Sequence, residues 1–364
     1  MVRYLLLIAP SSNRVYAGEA LRLAERELAA FGETVLRDAG LRDVSREEVA
    51  GVEYLGFTAE PPLTDDQLGF VSNLSGAYVL FGWEGPESLR PVRLTPTAYY
   101  DDDLLTILKY PGKTNEQFTR LLLNLTVAAS QRSAELRGGE RPEPSSRLVV
   151  CDPLCGRGTT LNQALRYGYD AVGIEADNAH VDAYAAFLRT WLRRKRLKHR
   201  VEIHPVRHER QRVARRLTAS VAPSKAAHDA GADQRVTVVH ADTLRAREFL
   251  KGRSCDVIVT DAPYGVVHGS RAAGRSARDR RPQELLDAAL PGWVALLRPG
   301  GALGLSFNTH LASREEIAEL LTRHDLSVVD SPGYQGFDHW VDQGITRDLL
   351  VATMPSAPRP AGHE

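Results

Sequence analysis

Apolar and polar positions along this 364-residue chain alternate between two periods, and the alternation is clearest in its second half. Five short apolar runs, 148–151, 171–174, 236–240, 255–260 and 302–307, are too brief for helices and apolar on both faces, as buried parallel strands are. Between them the spacing shifts to three and four residues. It does so over 159–167, over 179 to about 197 with Val181, Tyr184, Phe187, Leu188 and Trp191 on the inner face, and over 283–297. Gly168 stops the first of these helices, R-P-G-G at 298–301 ends the third, and Ser313 with Glu316 makes a capping box for another helix to 323. Strand and helix in turn predict an α/β unit around a parallel sheet.

The first 95 residues follow a different plan. Strands are expected at 4–9, 52–58 and 77–83, and helices at 15–31, closed by Gly32, and at 64–74. Ser45 and Glu48 have capping-box spacing and predict a short helical turn. This β-α-β-α-β order suits a small α+β, ferredoxin-like domain over 1–95. A linker follows at 91–103. The second part of 104–130 is then a helix with Phe118, Leu121, Leu122, Leu125 and Ala129 on one side. A polar loop, 138–146, leads into the strand at 148. The larger domain is expected over 96–354, with a tail over 355–364.

Composition changes the picture in one place. The formal charge is zero, so attraction to a polyanion has to be local. Residues 193–216 hold eleven Lys or Arg against Glu202 and Glu209, a net of +9. Arg193, Arg194, Lys195 and Arg196 open this run. It reads either as a solvated charged face or as a contact for a phosphate backbone. The helix ending near 197 should lead into the next strand within a few residues, so 198–234 is an insertion, with a loose, alanine-rich stretch at 223–233. Cys151, Cys155 and Cys255 form no CxxC and join no histidine cluster. They predict buried thiols in a reducing cytoplasm and no metal site. No apolar run reaches membrane length, and the apolar start is too short for a signal peptide.

The candidate chemistry lies between Leu148 and Asp177. A strand is followed by Asp152-Pro-Leu-Cys155-Gly156-Arg-Gly158-Thr159-Thr, a helix, a second strand and then Glu175. Strand, glycine turn, helix, strand and acid make up a nucleotide-binding unit: glycines let the backbone approach a ligand, and the acid holds both ribose hydroxyls. The third glycine of a dinucleotide fingerprint is missing, and no Lys-Ser or Lys-Thr follows Gly158. The ligand needs a ribose and little phosphate, which points to S-adenosylmethionine. A second signature, Asp261-Ala262-Pro263-Tyr264-Gly265, leaves the carboxyl end of the strand at 255–260, where open α/β sheets bind ligands.

This second run resembles the (D/N)-P-P-Y motif of methyltransferases that act on exocyclic amino groups. Together with D-P-x-C-G-x-G-T-T, the chain over about 104–353 resembles the tRNA guanosine-N2 methyltransferase family. Ala262 departs from the double proline, and residues 1–95 leave no room for the RNA-binding domain that family adds to its first module. The resemblance implies a Rossmann-like class I methyltransferase domain with a seven-stranded mixed sheet, closed by an antiparallel hairpin of 326–330 and 346–353. It also implies S-adenosyl-L-methionine as cofactor and RNA, most specifically tRNA, as partner. Lys113 would meet the cofactor carboxylate beside Asn115, which equally serves as a helix cap. Asp152, Cys155, Gly156, Gly158 and Thr159 would form the cofactor turn. Asp242 would face the adenine amino group or cap a helix. Asp261, Pro263 and Tyr264 would hold and stack the acceptor base. Five arginines follow within 266–281, Arg271 and Arg275 among them, and read as a cationic lid or a loose loop. A DNA amino-methyltransferase, a transferase acting on a small molecule or protein amide, and a non-catalytic nucleic-acid-binding protein remain the alternatives.

Overall fold

The computed structural model describes residues 1–85, 88–110, 112–139, 143–208, 211–262 and 282–356. Pro263, Tyr264, Arg271 and Arg275 lie outside them.

The amino-terminal part is an antiparallel sheet of β1 (Val2–Ile8), β2 (Arg42–Val49), β3 (Val52–Ala59), β4 (Ala77–Gly85) and β5 (Ser88–Val92), in the order β2-β3-β1-β4-β5. Helix Arg14–Glu33 connects β1 to β2, and helix Asp65–Ser72 connects β3 to β4, so the first four strands have the ferredoxin-like order. Asn13 caps the first helix through Val15 and Tyr16, and Thr64 with Gln67 forms a capping box on the second. The helical turn expected from Ser45 and Glu48 is instead β2. Arg3 on β1 reaches across β3 to Ser45 Oγ at 2.6 Å and Glu47 Oε1 at 2.5 Å, which ties this polar edge strand down.

The larger sheet contains β6 (Val149–Asp152), β7 (Asp170–Glu175), β8 (Lys198–His208), β9 (Gln211–Ala222), β10 (Gln234–His240), β11 (Cys255–Asp261), β12 (Leu297–Asn308), β13 (Ser327–Val328), β14 (His339–Asp342) and β15 (Ile345–Thr353). Its order is β13-β15-β12-β11-β6-β7-β10-β9-β8, with β14 paired to β15. Strands β12, β11, β6, β7 and β10 are parallel, and β15 runs antiparallel to β12 and β13. From β13 to β10 this is the seven-stranded, Rossmann-like class I methyltransferase arrangement. The chain leaves β6 toward β7 and β10 and then crosses back to β11, so the topological switch point lies between β6 and β11.

Two local expectations change. The helix Pro282–Val294 stops short of the R-P-G-G run, which lies inside β12. The insertion, for which no strands were expected, carries two: β8 and β9 form a hairpin along eleven paired positions, and β9 extends the sheet by pairing with β10 from Gln234↔Val221 to His240↔Arg215. Only a short helix, Lys225–Asp229, occupies its alanine-rich part.

One apolar cluster runs through both sheets. It includes Leu6, Leu55 and Phe57 from the first, and Val150, Val257 and Leu349 from the second. Helix Glu116–Ala129 sits between them and is buried on all sides, not on one stripe. Its polar residues escape notice in the sequence because their needs are met inside: Thr126 bonds Leu122 O at 2.6 Å, and Asn124 bonds Glu27 and Asn73 O, each at 2.7 Å.

Candidate functional site at the carboxyl edge of the sheet

Four consecutive strand ends converge on the switch point. They carry the glycine turn after β6, Glu175 at the end of β7, Asp242 after β10 and Asp261 at the end of β11. Parallel register fixes their level, with Asp152↔Gly173, His240↔Glu175 and Asp261↔Ser306. Three strand spacings separate β10 from β11, about 14 Å. A nucleoside with a short side chain spans that width.

The turn is built for close backbone approach. Gly156 has φ +52°, and a Cβ there would meet no atom within 4 Å. Gly158, at φ +83°, precedes helix Thr159–Arg166 and lies so close to Tyr184 that a Cβ would sit 2.6 Å from its ring. Cys155 N donates to Ile174 O at 3.0 Å, docking the turn onto β7 beside Glu175. Asp152 is buried and accepts from Thr260 Oγ1 at 2.9 Å and Leu154 N at 3.1 Å; burial pushes its carboxyl up to about 6. Burial likewise pushes the Cys155 thiol well up, which makes it an inert packing group.

Glu175 is mostly buried, accepts from Asp177 N at 2.6 Å and lies 3.7 Å from His180 Nδ1. Asp242 accepts from Leu244 N at 3.0 Å and so caps a helical turn. Asn115 caps helix Glu116–Ala129 through Gln117 N and Phe118 N, and its amide reaches Ser11 Oγ at 3.3 Å. Lys113 is engaged locally: Nζ donates to Leu105 O at 2.6 Å and pairs with Glu116.

Several side chains that sequence reasoning missed complete the edge. Thr114 Oγ1 donates to Asp261 Oδ2 at 2.7 Å, and Ser306 Oγ donates to Oδ1 at 2.6 Å. Arg347 Nη2 lies 3.3 Å from Oδ2. Tyr110 bonds Thr159 Oγ1 at 3.4 Å, and the Arg157 guanidinium stacks 4.8 Å from the Tyr110 ring centroid. Tyr110 and Thr114 therefore touch the two sides of the switch point, one at the glycine turn and the other at Asp261.

The basic run is divided by the topology. Helix Asn178–Arg194 starts beside Glu175 and runs back for about 25 Å. Arg193, Arg194 and Arg196 are exposed at the amino edge, away from Asp261. Lys195 bonds Asp101 and Asp103, each at 2.7 Å. Lys198, Arg200 and Arg207 are exposed along the edge strand β8, which returns toward the carboxyl edge. Near that end Arg215 pairs with Asp182 at 2.5 Å, and Arg216 donates to Phe249 O at 2.8 Å. Among the described residues no group of three His, Cys, Asp or Glu could hold a metal, and no helix is long and apolar enough to cross a membrane.

No protein-family model and no curated protein matches the chain. Solved structures give distant likenesses. A 1,6-didemethyltoxoflavin-N1-methyltransferase from Burkholderia thailandensis, with 1,6-didemethyltoxoflavin and S-adenosylhomocysteine bound, is 15% identical with TM-score 0.34, over 58% of this chain and 73% of that one. A SAM-dependent methyltransferase from Methanosarcina mazei is 12% identical with TM-score 0.36, over 60% and 100%. The magnesium protoporphyrin IX methyltransferase of Synechocystis, with S-adenosylhomocysteine bound, is 14% identical with TM-score 0.33, over 57% and 74%. All three scores lie below 0.5, and the fold rests on the strand order of this chain.

Proposed function

We propose that the chain is a methyltransferase that uses S-adenosylmethionine and acts on an exocyclic amino group of a nucleobase, with guanine N2 in RNA, tRNA in particular, as the acceptor implied by the two motifs. One observation carries this reading: Asp261 faces the glycine turn across the switch point, in one row with Glu175 and Asp242. The residues fit the cofactor. Open space over Gly156 admits a close approach, Glu175 would accept from ribose hydroxyls, and Asp242 would accept from the adenine amino group. The bound cofactor supplies an electrophilic methyl group on a sulfonium.

A base-conjugated amine is a poor nucleophile, so the chain's task is to hold it in line and offset the charge it gains. Asp261 would hold the amine in line with the methyl group that the cofactor supplies, the thioether being the leaving group. The surplus proton leaves the nitrogen through the Asp261 carboxylate to solvent. The exposed cations Arg193, Arg194, Arg196, Lys198, Arg200 and Arg207 support a polyanionic acceptor. The test is transfer of tritiated methyl from S-adenosylmethionine to total RNA, DNA and protein fractions. Label in RNA, recovered as N2-methylguanosine, is the expected result. Label in another fraction alone overturns the acceptor, and no label together with no cofactor binding overturns the enzyme.

A further inference from the structure

We propose that Arg347 is a positioning residue for the transfer step: it fixes the Asp261 carboxylate at the end of β11 and offsets its charge. The proposal rests on the reading of Asp261 given above. Arg347 lies on β15, paired with Asn308 of β12 on one side and His339 of β14 on the other. Its side chain is 5% exposed, its guanidinium stands 4.7 Å from the Phe118 ring centroid, and Nη2 is 3.3 Å from Asp261 Oδ2. A guanidinium so buried costs several kcal/mol in lost hydration unless an anion meets it. Here the anion is the residue that the reaction needs held still.

The surroundings separate this pair from an ordinary structural bridge. Asp261 is also bonded by the hydroxyls of Thr114 and Ser306, so three elements distant in sequence converge on one carboxylate. Across the switch point lies Asp152, buried, whose carboxyl is raised first by burial and also by the charge of Asp261. His339, on the other side of Arg347, is held down to about 4 by burial, with Arg347 contributing, and stays neutral at physiological pH. Arg347 thus stands between a neutral histidine and the Asp261 carboxylate. Removing it leaves Asp261 facing Asp152 without that cation, a setting in which a carboxylate takes up a proton more readily.

The experiment compares Arg347→Met and Arg347→Lys with the wild type over pH 6 to 9.5. It reads kcat and KM on the RNA substrate, cofactor affinity by calorimetry, and urea unfolding of the cofactor-free protein. Arg347→Met should lose about tenfold or more in kcat near neutral pH, recover as the pH rises, and bind the cofactor as the wild type does. Arg347→Lys should keep the wild-type pH profile. In unfolding, Arg347→Met should lose stability as the pH rises through the proton release from Asp261, and Arg347→Met/Asp261→Asn should not. A loss of kcat that is the same at every pH overturns the proposal, as does an unfolding limb that persists in the double variant. If Arg347→Met does not fold, a shifted acid limb in Arg347→Lys overturns it. If the wild type transfers no methyl group, the functional reading fails, while the unfolding comparison still decides the role of Arg347.

Discussion

Glu175 offers the most direct test among single residues. Its carboxylate ends β7 next to the docked glycine turn, and one oxygen already holds Asp177 N at 2.6 Å. Charge-assisted bonds to two ribose hydroxyls would make Glu175→Ala weaken cofactor binding by about 2 kcal/mol. Glu175→Gln keeps an acceptor for Asp177 and should lose less. Calorimetry on folded variants checks this, and unchanged affinity in Glu175→Ala removes the residue from the site. The placement of Gly156, Gly158 and Glu175 on one unit was legible in the sequence because strand, turn, helix and strand are contiguous. The partners of Asp261 were not: Thr114, Ser306 and Arg347 lie 147, 45 and 86 residues away. They are ordinary residue types at unremarked positions, and only the register of β11, β12 and β15 brings two of them together.

Elements were readable where burial imposed a pattern. The parallel strands are apolar on both faces, and the sequence placed them within a few residues. Capping boxes show the limit of a local signal. Ser313 and Glu316 are followed by Ile317, Leu320 and Leu321, a buried helical stripe, and the box is real. Ser45 and Glu48 are followed by Ala50 and Gly51, both at positive φ, and the same spacing sits on an edge strand whose sequence, RDVSREEV, lacks a regular apolar–polar alternation. The hairpin of β8 and β9 was hidden likewise, since a charged edge strand resembles a charged loop. Its geometry yields a prediction. Replacing Arg193, Arg194 and Arg196 by Gln, and separately Lys198, Arg200 and Arg207, should flatten the salt dependence of RNA binding by a little under one unit for each phosphate no longer neutralised. Lys195 is left in place because it holds Asp101 and Asp103. Cofactor affinity should not change in the first set, which lies at the amino edge. Filter binding from 50 to 300 mM salt, about the range where screening tells, measures the slope. A slope unaltered in both sets makes the segment a solvated face.

At the scale of the whole molecule, the sequence separated residues 1–95 from 96–354 but carried no sign of how tightly their sheets are joined. Arg22 on the first helix bonds Gly336 O at 2.7 Å, Glu33 accepts from Gly333 N at 2.7 Å, and Glu27 is fully buried against helix Glu116–Ala129. Glu27 accepts from Ser75 N, Ser75 Oγ and Asn124 Nδ2, with Tyr16, Tyr167 and Arg120 among its other charged or titratable neighbours. Burial outweighs these bonds and pushes its carboxyl from 4.5 up to about 6. The folded protein therefore holds this proton more tightly than the unfolded chain does. The resulting stability is fully present below about pH 4.5, fades as the pH rises through 6, and is absent above about pH 7. The shift corresponds to roughly 2 kcal/mol. Other groups titrate in the same range, so the comparison has to be with Glu27→Gln, which cannot titrate. Relative to the wild type, this variant should gain stability steadily between about pH 4.5 and 6.5 and level off above it, as read from urea midpoints. A difference between the two proteins that stays flat across that window would show that Glu27 ionises as freely in the folded protein as in the unfolded chain.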